Sequence, residues 1–339
     1  YESHFGPVLN LKGVSEFLDG WPMFNGSILA FRDANILTGT RGIEQWINKG
    51  KATDLEGYID ALATIGNPVF HEIAADRGGE VFYGELSAIP YITQEQLDTC
   101  VNGIVGPLLA DATTNVIISL DGSTSACEWG EDPEAPEGSN LYGASQLPQL
   151  RTRDYVGNSN NSYWLSNAQQ PIEGFPTIMG PVGYEGQQQF LRTRIGNLMV
   201  EERKAASDGL SETPLFDLET IKGLMYANRV YGAEVTLDDI LQFCASSEIE
   251  TLTAVCGILA QWDRRVDLES QGAQVFTEFW KALGSKLGGG FQGVISNDTF
   301  WRIDYDPADP LKTPSGIDLD ITSNQTLLTE VLLNAEAQL

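Results

Sequence analysis

One stretch of the chain combines side chains that could take part in chemistry. Residues 153–167 have the sequence RDYVGNSNNSYWLSN, in which the strand-like pair Tyr155-Val156 leads into a dense set of asparagines and serines. A primary amide donates hydrogens and carries no charge, so it can stabilise a carbonyl oxygen that becomes negative during a reaction. Asparagine is also common in turns, because it tolerates a left-handed backbone and bonds to its own main chain. The residues alone therefore permit two interpretations, an oxyanion donor site and a polar turn.

Other catalytic patterns are missing from the sequence. Only two histidines are present, His4 and His71, and no GxSxG nucleophile elbow occurs. No GxGxxG motif opens a helix after a strand, and no GxxxxGK(S/T) motif exists, so nothing supports nucleotide binding. Because no CxxC spacing accompanies the two histidines, we expect no zinc site. The sequence predicts neither a metal nor a cofactor.

Composition narrows the class of protein and its partners. The 339 residues allow two domains or one large one, and a hydrophobic content of 42% is ordinary for a soluble globular protein. The net charge of −27 argues against nucleic acid or an anionic membrane as a partner, because both attract Lys and Arg. No apolar run approaches the roughly 20 residues that span a bilayer, so we expect no membrane insertion. The sequence begins at Tyr1, without an initiating methionine and without a basic-then-apolar export signal. We therefore expect a mature or excised piece of a longer protein.

The four cysteines indicate the redox environment. Cys100 and Cys127 bracket a loose segment, and Cys244 and Cys256 bracket a short loop between two helical patterns. Of the three ways to pair four cysteines, 100–127 with 244–256 is the most economical. Two disulfides would imply export to an oxidising compartment. Four buried free thiols are the alternative.

The first 200 residues alternate strand-like segments with short helices. A hairpin is predicted from Val69–Ala75 and Val81–Tyr83, joined by a Gly-containing turn at 76–79. Asp54 is a predicted helix cap, and Thr93 forms a capping box with the glutamine three residues later. A further helix before Asp54 carries apolar residues on one face, and residues 102–150 are predicted to be a loop-rich surface segment.

The remaining residues, 201–339, carry helical patterns. Asp217 and Thr236 are predicted caps, and the apolar stripes behind them are predicted core faces. The predicted stripes are Leu218, Ile221, Leu224 and Met225; Leu237, Ile240, Leu241 and Cys244; Leu252, Val255, Cys256 and Leu259; Phe276, Phe279, Trp280, Leu283 and Leu287; and Leu327, Leu328, Val331, Leu332 and Ala335. No linker separates the halves, so we expect one large α+β unit, sheet-rich over 1–200 and helical over 201–339.

Several separated blocks give the chain a family resemblance. In order and spacing they resemble the penicillin amidase family of N-terminal nucleophile hydrolases, especially its acyl-homoserine lactone and aculeacin acylases. The blocks are Ser3-His4-Phe5-Gly6-Pro7-Val8, Arg32-Asp33-Ala34-Asn35, Ala74-Ala75-Asp76-Arg77-Gly78, the asparagine stretch, and Ala260-Gln261-Trp262-Asp263. The resemblance implies that residues 1–339 are an internal fragment of the catalytic β subunit, and part of an αββα sandwich.

The resemblance also implies a reaction and a role for one residue. The family's oxyanion asparagine falls on Asn160, while Asn158 and Asn161 would bond the backbone of the turn. The nucleophile would be an N-terminal serine that lies outside this chain and is activated by its own amino group. The expected partners are a small N-acyl amide substrate and the remaining segments of the same precursor, namely the α subunit and the ends of the β subunit. Taken alone, the fragment is expected to be inactive.

The sequence departs from the family pattern at two places. Gln187 occupies the position of an arginine that supports the family's active site, so that role is lost or passes to Arg192 or Arg194. In the acyl pocket a family tryptophan matches Trp46, whereas Val69, next to Phe70, takes the place of another. Ordinary core packing is the alternative role of these three apolar residues.

The expected function is hydrolysis of the amide bond of N-acyl substrates, such as acyl-homoserine lactones or penicillin-like amides, by the complete protein. Related acylases carry cysteines at similar places, which agrees with a periplasmic or secreted location. The alternative is a non-catalytic secreted binding or structural module on the same scaffold, which Gln187 and the missing nucleophile favour.

Overall fold

The structure, a computed structural model, divides into two compact units. It describes residues 1–10, 12, 21, 23, 26–36, 39–68, 70–101, 117–180, 185–287 and 299–338. Unit 1 comprises Tyr1–Glu185, and unit 2 comprises Gly186–Leu339. Both contain helices and small sheets, so the predicted mixed α+β class is confirmed.

Unit 1 is built on a three-stranded antiparallel sheet with helices before and after its first hairpin. The described elements are β1 (Glu2–Ser3), β2 (Gly6–Pro7), α1 (Arg41–Lys51), α2 (Leu55–Leu62), β3 (Glu72–Ala75), β4 (Val81–Gly84), α3 (Gln94–Cys100) and β5 (Gln149–Thr152). The sheet order is β3-β4-β5, and Tyr83 pairs with Ile73 on one side and Leu150 on the other. The predicted hairpin is confirmed, although its first strand begins at Glu72 and leaves out Phe70 and His71. β5 was missed, because its first two residues lie in the predicted loop-rich segment 102–150 and its last two were assigned to no element.

The helix caps of unit 1 follow the predicted chemistry. Asp54 accepts a hydrogen bond from the Gly57 amide, 2.9 Å away, and thereby satisfies one of the unpaired donors of the first turn of α2. Thr93 and Gln96 form the predicted capping box at the start of α3, which ends at Cys100. These caps are local interactions, and the sequence predicted them correctly.

The core of unit 1 lies between the sheet and the segments around it. Its buried members come from α2, β4, the asparagine stretch and the segments between the named elements, and they include Leu55, Leu62, Ile65, Phe82, Tyr83, Leu86, Leu141, Leu147, Tyr163 and Met179. The core therefore joins the central strand to the stretch that carries the candidate chemistry.

The apolar face of α1 is oriented differently from a core face. Ile43 and Ile47 are exposed, and so is Trp46 at 55%. Gln45 is completely buried instead, and its side-chain oxygen accepts a hydrogen bond from the Gly66 amide at 2.6 Å. Each helical step turns about 100°, so burial of Gln45 directs Ile43 and Ile47 outward. Core packing was the alternative role of Trp46. The structure instead leaves this apolar face of α1 exposed.

Unit 2 is helical, with one two-stranded antiparallel sheet among its described elements. They are α4 (Leu191–Lys204), α5 (Leu218–Met225), α6 (Tyr231–Ser246), α7 (Thr253–Ala260), α8 (Ala273–Leu287), β6 (Trp301–Ile303), β7 (Ser315–Ile317) and α9 (Thr322–Glu336). The stripes of α6 to α9 pack into a shared core that includes Leu237, Ile240, Leu252, Val255, Leu259, Phe276, Phe279, Leu283, Leu328, Val331 and Leu332. Four of the five predicted helical core faces are confirmed.

Two predictions in unit 2 are wrong. α6 begins at Tyr231, five residues before the predicted cap Thr236, whose hydroxyl donates to the Gly232 carbonyl 2.6 Å away inside the helix. The predicted core face of α5 is at the surface, with Leu218 67% and Met225 69% exposed. Thr220, which completes the capping box of this helix, is buried instead, so the polar cap side faces the protein.

Both predicted disulfides are present. Cys100 at the end of α3 is bonded to Cys127, and Cys244 of α6 is bonded to Cys256 of α7. The alternative of four free thiols is wrong. The second bond joins consecutive helices of the unit 2 core across a separation of 12 residues.

Replacing Cys244 and Cys256 by alanine is expected to lower the free energy of unfolding by about 3 kcal/mol, because a loop of this length is no longer constrained in the unfolded chain. Urea unfolding followed by tryptophan fluorescence measures the loss. Reductant should destabilise the parent protein further than it destabilises this double variant. Equal urea midpoints for parent and variant without reductant would contradict the prediction.

Candidate active site

The asparagine stretch of unit 1 folds into a closed loop. At its base the Gly157 amide donates to the Ser166 carbonyl at 2.8 Å. Asn167 is completely buried and donates from Nδ2 to the Tyr155 carbonyl at 2.8 Å, while its Oδ1 accepts from the Gln169 amide at 2.7 Å. Both ends of the loop are thereby fixed, since a buried amide side chain with its partners satisfied resists displacement.

Asn158 builds the turn at the tip of this loop. Its Nδ2 donates to the carbonyls of Asn161 (3.2 Å) and Ser162 (3.0 Å), and its Oδ1 accepts from the Asn160 amide at 2.7 Å. Asn160 has a left-handed backbone with φ of 59°. Asparagine adopts this conformation more readily than most residues. The predicted role of Asn158 in bonding the turn backbone agrees with these contacts.

The Asn160 side chain projects from the tip of the loop. It is exposed, and it donates to no residue in the part of the chain that the structure describes. Its two amide hydrogens are therefore available to a ligand. The loop has features of both interpretations made from the sequence. Asn158 builds a polar turn, and Asn160 presents a donor at the tip of that turn. The oxyanion role of Asn160 stays a prediction.

Glu185 ties the loop to the following segment. The Tyr163 hydroxyl donates to its Oε1 at 2.7 Å, and the amides of Gly174 and Phe175 donate to its two carboxylate oxygens at 2.9 and 3.0 Å. Burial, and then the hydrogen bond to Glu185, raises the pKa of Tyr163. Tyr163 lies three residues after Asn160, so this carboxylate restrains the back of the loop.

Behind the loop lies a group of titratable side chains that sequence analysis missed. His71 Nδ1 is 2.8 Å from the Tyr83 hydroxyl, which donates to Glu85 Oε2 at 3.4 Å. One signal was available in the sequence. Glu85 is the single charged residue in the apolar run from Val81 to Ile92.

Burial sets the protonation of this group. It raises the pKa of Glu85 to about 8, against the opposing effect of the hydrogen bond from Tyr83, and it lowers the pKa of His71. Both side chains are therefore neutral near pH 7. A protonated carboxyl and a neutral imidazole satisfy the Tyr83 hydroxyl without placing a charge in the core.

Trp46 and Phe70, two of the three predicted acyl-contacting residues, lie together at the surface. Their ring centroids are 6.0 Å apart with an interplanar angle of 88°, an edge-to-face pair. Phe70 is 45% exposed, and its amide donates to the Ser87 hydroxyl at 3.1 Å. Val69, the third, lies outside the described residues.

The three candidate supporting residues lie in unit 2. Gln187 is exposed, and its carbonyl accepts from Gln189 at 2.9 Å. Arg192 is exposed and its guanidinium lies 5.8 Å from the centre of the Phe190 ring. Their supporting roles stay predictions, since the described contacts do not test them.

Arg194 is completely buried within unit 2. It donates to the carbonyls of Leu311 (2.9 Å) and Pro314 (3.0 Å), and its guanidinium lies 5.0 Å from the centre of the Tyr231 ring. Burial lowers the pKa of Arg194. These contacts give Arg194 a stabilising role inside unit 2. A supporting role in catalysis stays a prediction.

No group of three His, Cys, Asp or Glu side chains among the described residues is arranged to hold a metal ion. None of the described helices is both long and apolar enough to cross a membrane.

Comparison with known proteins places this architecture. The sequence model of a family described as penicillin amidase matches residues 1–337. Aculeacin-A acylase from Actinoplanes utahensis is 33% identical over 326 residues, covering 93% of this chain and 37% of that protein. Acyl-homoserine lactone acylase PvdQ from Pseudomonas savastanoi pv. phaseolicola is 32% identical over 341 residues, covering 99% of this chain and 39% of that protein. The chain spans about two fifths of the length of these relatives.

A solved structure has a similar fold. Thermostable penicillin G acylase from Alcaligenes faecalis superposes with a TM-score of 0.52, covering 99% of this chain and 56% of that chain. The two sequences are 14% identical, so this likeness concerns the fold alone.

The raised pKa of Glu85 predicts a pH-dependent stability. Because the folded chain keeps the proton until about pH 8 and the unfolded chain releases it near pH 4.5, the stabilising contribution is complete below pH 4.5 and is lost as the pH rises towards 8. Between about pH 5 and about pH 8, the parent should lose roughly 3 kcal/mol more free energy of unfolding than Glu85→Gln. Urea titrations at several pH values measure this difference.

The exposed Glu131 provides a matched control. Glu131→Gln should retain the parent's dependence of stability on pH, because its carboxyl is solvated in both states. If Glu85→Gln and the parent lose stability in parallel as the pH rises, Glu85 is not held protonated in the fold.

Proposed function

The chain belongs to the penicillin amidase family, and from this premise we propose that it forms part of an exported acylase that hydrolyses the amide bond of N-acyl substrates. Acyl-homoserine lactones are the first substrate class, since relatives at about 32% identity carry that name. Lipopeptides and penicillin-like amides come next. The observation that carries the proposal is the exposed amide of Asn160, held at the tip of a turn in a chain that resembles acylases throughout its length.

The proposed chemistry is stabilisation of an oxyanion. Attack on an amide carbonyl creates a tetrahedral intermediate whose oxygen is negative, and a preorganised neutral donor lowers its energy. Asn160 supplies such a donor, because its backbone is fixed by Asn158 while its side chain has no described partner. In this proposal the nucleophile is an N-terminal serine outside the present residues, with its own amino group as base. The complete catalytic subunit would form the αββα sandwich.

The acyl group would lie against aromatic side chains. Trp46 and Phe70 expose large apolar surfaces beside each other, which suits an alkyl chain. Val69, adjacent in sequence to Phe70, is smaller than the tryptophan that the family has at this position, and would leave more room in the pocket floor. The length of the preferred acyl chain would follow from that space.

The proposed location is an oxidising compartment, the periplasm or the exterior. Two disulfides use every cysteine of the chain, and cytosolic proteins seldom keep such bonds. The proposed partners are the small acyl amide and the other segments of the same precursor.

A non-catalytic secreted module is the second candidate. Gln187 favours it, because a neutral glutamine does not provide the bidentate cation that an arginine provides at the matched family position. Amide hydrolysis by the complete gene product would exclude this candidate.

The oxyanion role is tested by Asn160→Gly in the complete gene product. Glycine accepts the left-handed backbone, so the turn is kept while the donor is removed. We expect kcat for an acyl-homoserine lactone to fall by roughly 10²- to 10³-fold, the usual effect of losing one oxyanion donor. KM should change little.

Asn228→Gly is the control, since Asn228 is a second exposed asparagine with a positive φ, of 47°. It should keep the parent kcat. An Asn160→Gly enzyme with undiminished kcat would remove Asn160 from the mechanism, whereas absence of hydrolysis in the parent would favour the non-catalytic module.

A further inference from the structure

A buried ion pair lies beneath the aromatic pair. Lys49 follows Trp46 by three residues on the same side of α1. Its Nζ is 2.6 Å from Glu72 Oε1, and the two side chains are only 7% and 10% exposed. The sequence does not indicate this pair, because Lys49 and Glu72 are separated by 23 positions.

Glu72 is held in place from several directions. The Tyr58 hydroxyl donates to its Oε2 at 2.6 Å, and Asn67 Nδ2 donates to its Oε1 at 3.2 Å. Burying two charges is costly unless their remaining hydrogen-bonding sites are satisfied, and these donors satisfy the carboxylate. The position of the Lys49 ammonium is consequently fixed by the sheet, since Glu72 belongs to β3.

The same ammonium lies against the indole. Lys49 Nζ is 3.7 Å from the centre of the Trp46 ring, well within the range of a cation–π interaction. Such an interaction is strongest where the cation is desolvated, as it is here. The Trp46 ring is thus attached on one side to a rigid, charged group, while more than half of the residue remains exposed.

We propose that Lys49 is a positioning residue of the acyl-binding aromatic pair: by holding the Trp46 indole against Phe70, it sets the shape of the apolar wall and favours long acyl chains. This inference rests on the acylase function proposed above, and it adds a residue that does not contact the substrate. Each methylene buried on binding contributes roughly a fourfold gain in affinity. If the Trp46 indole could rotate freely, it would no longer contact the methylenes of the acyl chain that lie beyond the first few.

The decisive variant removes the cation without leaving a buried charge unpaired. Lys49→Met alone would leave the buried Glu72 carboxylate without its cation and would destabilise the fold. The double variant Lys49→Met/Glu72→Gln removes both charges; the glutamine oxygen can accept from Asn67, and the glutamine NH2 can donate to the Tyr58 hydroxyl oxygen, which accepts as well as donates. Lys49→Arg retains the cation and is the rescue variant. Lys51→Met changes the exposed lysine at the end of the same helix and is the matched control.

Kinetics of the complete enzyme with decanoyl and butanoyl amides of the same amine provide the first measurement. For the double variant we expect KM of the decanoyl substrate to rise about tenfold, the effect of losing contact with one or two methylenes, with kcat changed less than about twofold. KM of the butanoyl substrate should stay within about twofold of the parent value. Lys49→Arg and Lys51→Met should resemble the parent.

Fluorescence provides a measurement that does not depend on activity. Subtracting the signal of a matched Trp46→Phe partner isolates the emission of Trp46 in each background. In the double variant, quenching of Trp46 by acrylamide should increase and its anisotropy should fall, because the ring face that the ammonium covered becomes accessible. Lys51→Met should change neither quantity.

The outcomes separate this inference from the proposed function. If Trp46→Ala raises KM of the decanoyl substrate and the double variant does not, Lys49 is not a positioning residue and the acyl pocket stands. Equal rises of KM for both substrates, or unchanged quenching of Trp46, would also overturn the inference. If Trp46→Ala leaves KM unchanged, the acyl role of Trp46 and the inference fail together. If the parent protein hydrolyses neither amide, the proposed acylase function is refuted instead. The fluorescence measurement then still shows whether Lys49 holds the Trp46 ring.

Discussion

The register of the sheet β3-β4-β5 determines where each candidate group of unit 1 lies. Tyr83 pairs with Ile73 and Leu150, and this pairing directs its hydroxyl towards His71 and Glu85. A shift of one residue would turn the side chains of a strand to the opposite face. Since β3 begins just after Phe70 and β5 leads into the asparagine loop, the same register fixes the aromatic pair and the loop with respect to one set of strands.

Buried polar groups in unit 1 are accommodated in two physically different ways. Glu72 remains paired with Lys49, because three donors surround its carboxylate. Glu85 faces the Tyr83 hydroxyl and an imidazole whose own pKa is lowered by burial, so it is held as the neutral acid. The first arrangement fixes the position of an aromatic ring, and the second avoids a charge behind the loop that presents Asn160.

Periodicity identified the helices correctly but did not show what covers them. The stripe of α8 packs into the unit 2 core, whereas equally regular stripes on α1 and α5 are exposed. On α1 the buried side carries Gln45, which accepts a hydrogen bond from the Gly66 amide, and the apolar side is exposed. The spacing of residues shows that a helix has an apolar face, and does not show whether that face is covered or by which segment.

The sequence alone determined the features that depend on nearby residues: the caps at Asp54 and Thr93, the hairpin, the pairing of cysteines across short separations, and the family through the order of its blocks. Only the tertiary structure decided that Lys49 meets Glu72, that Glu85 is shielded from water, and that Asn160 stands at an open tip. The physical reason is that caps and turns are satisfied by atoms a few residues away. Burial and charge pairing depend on distant segments that folding brings together.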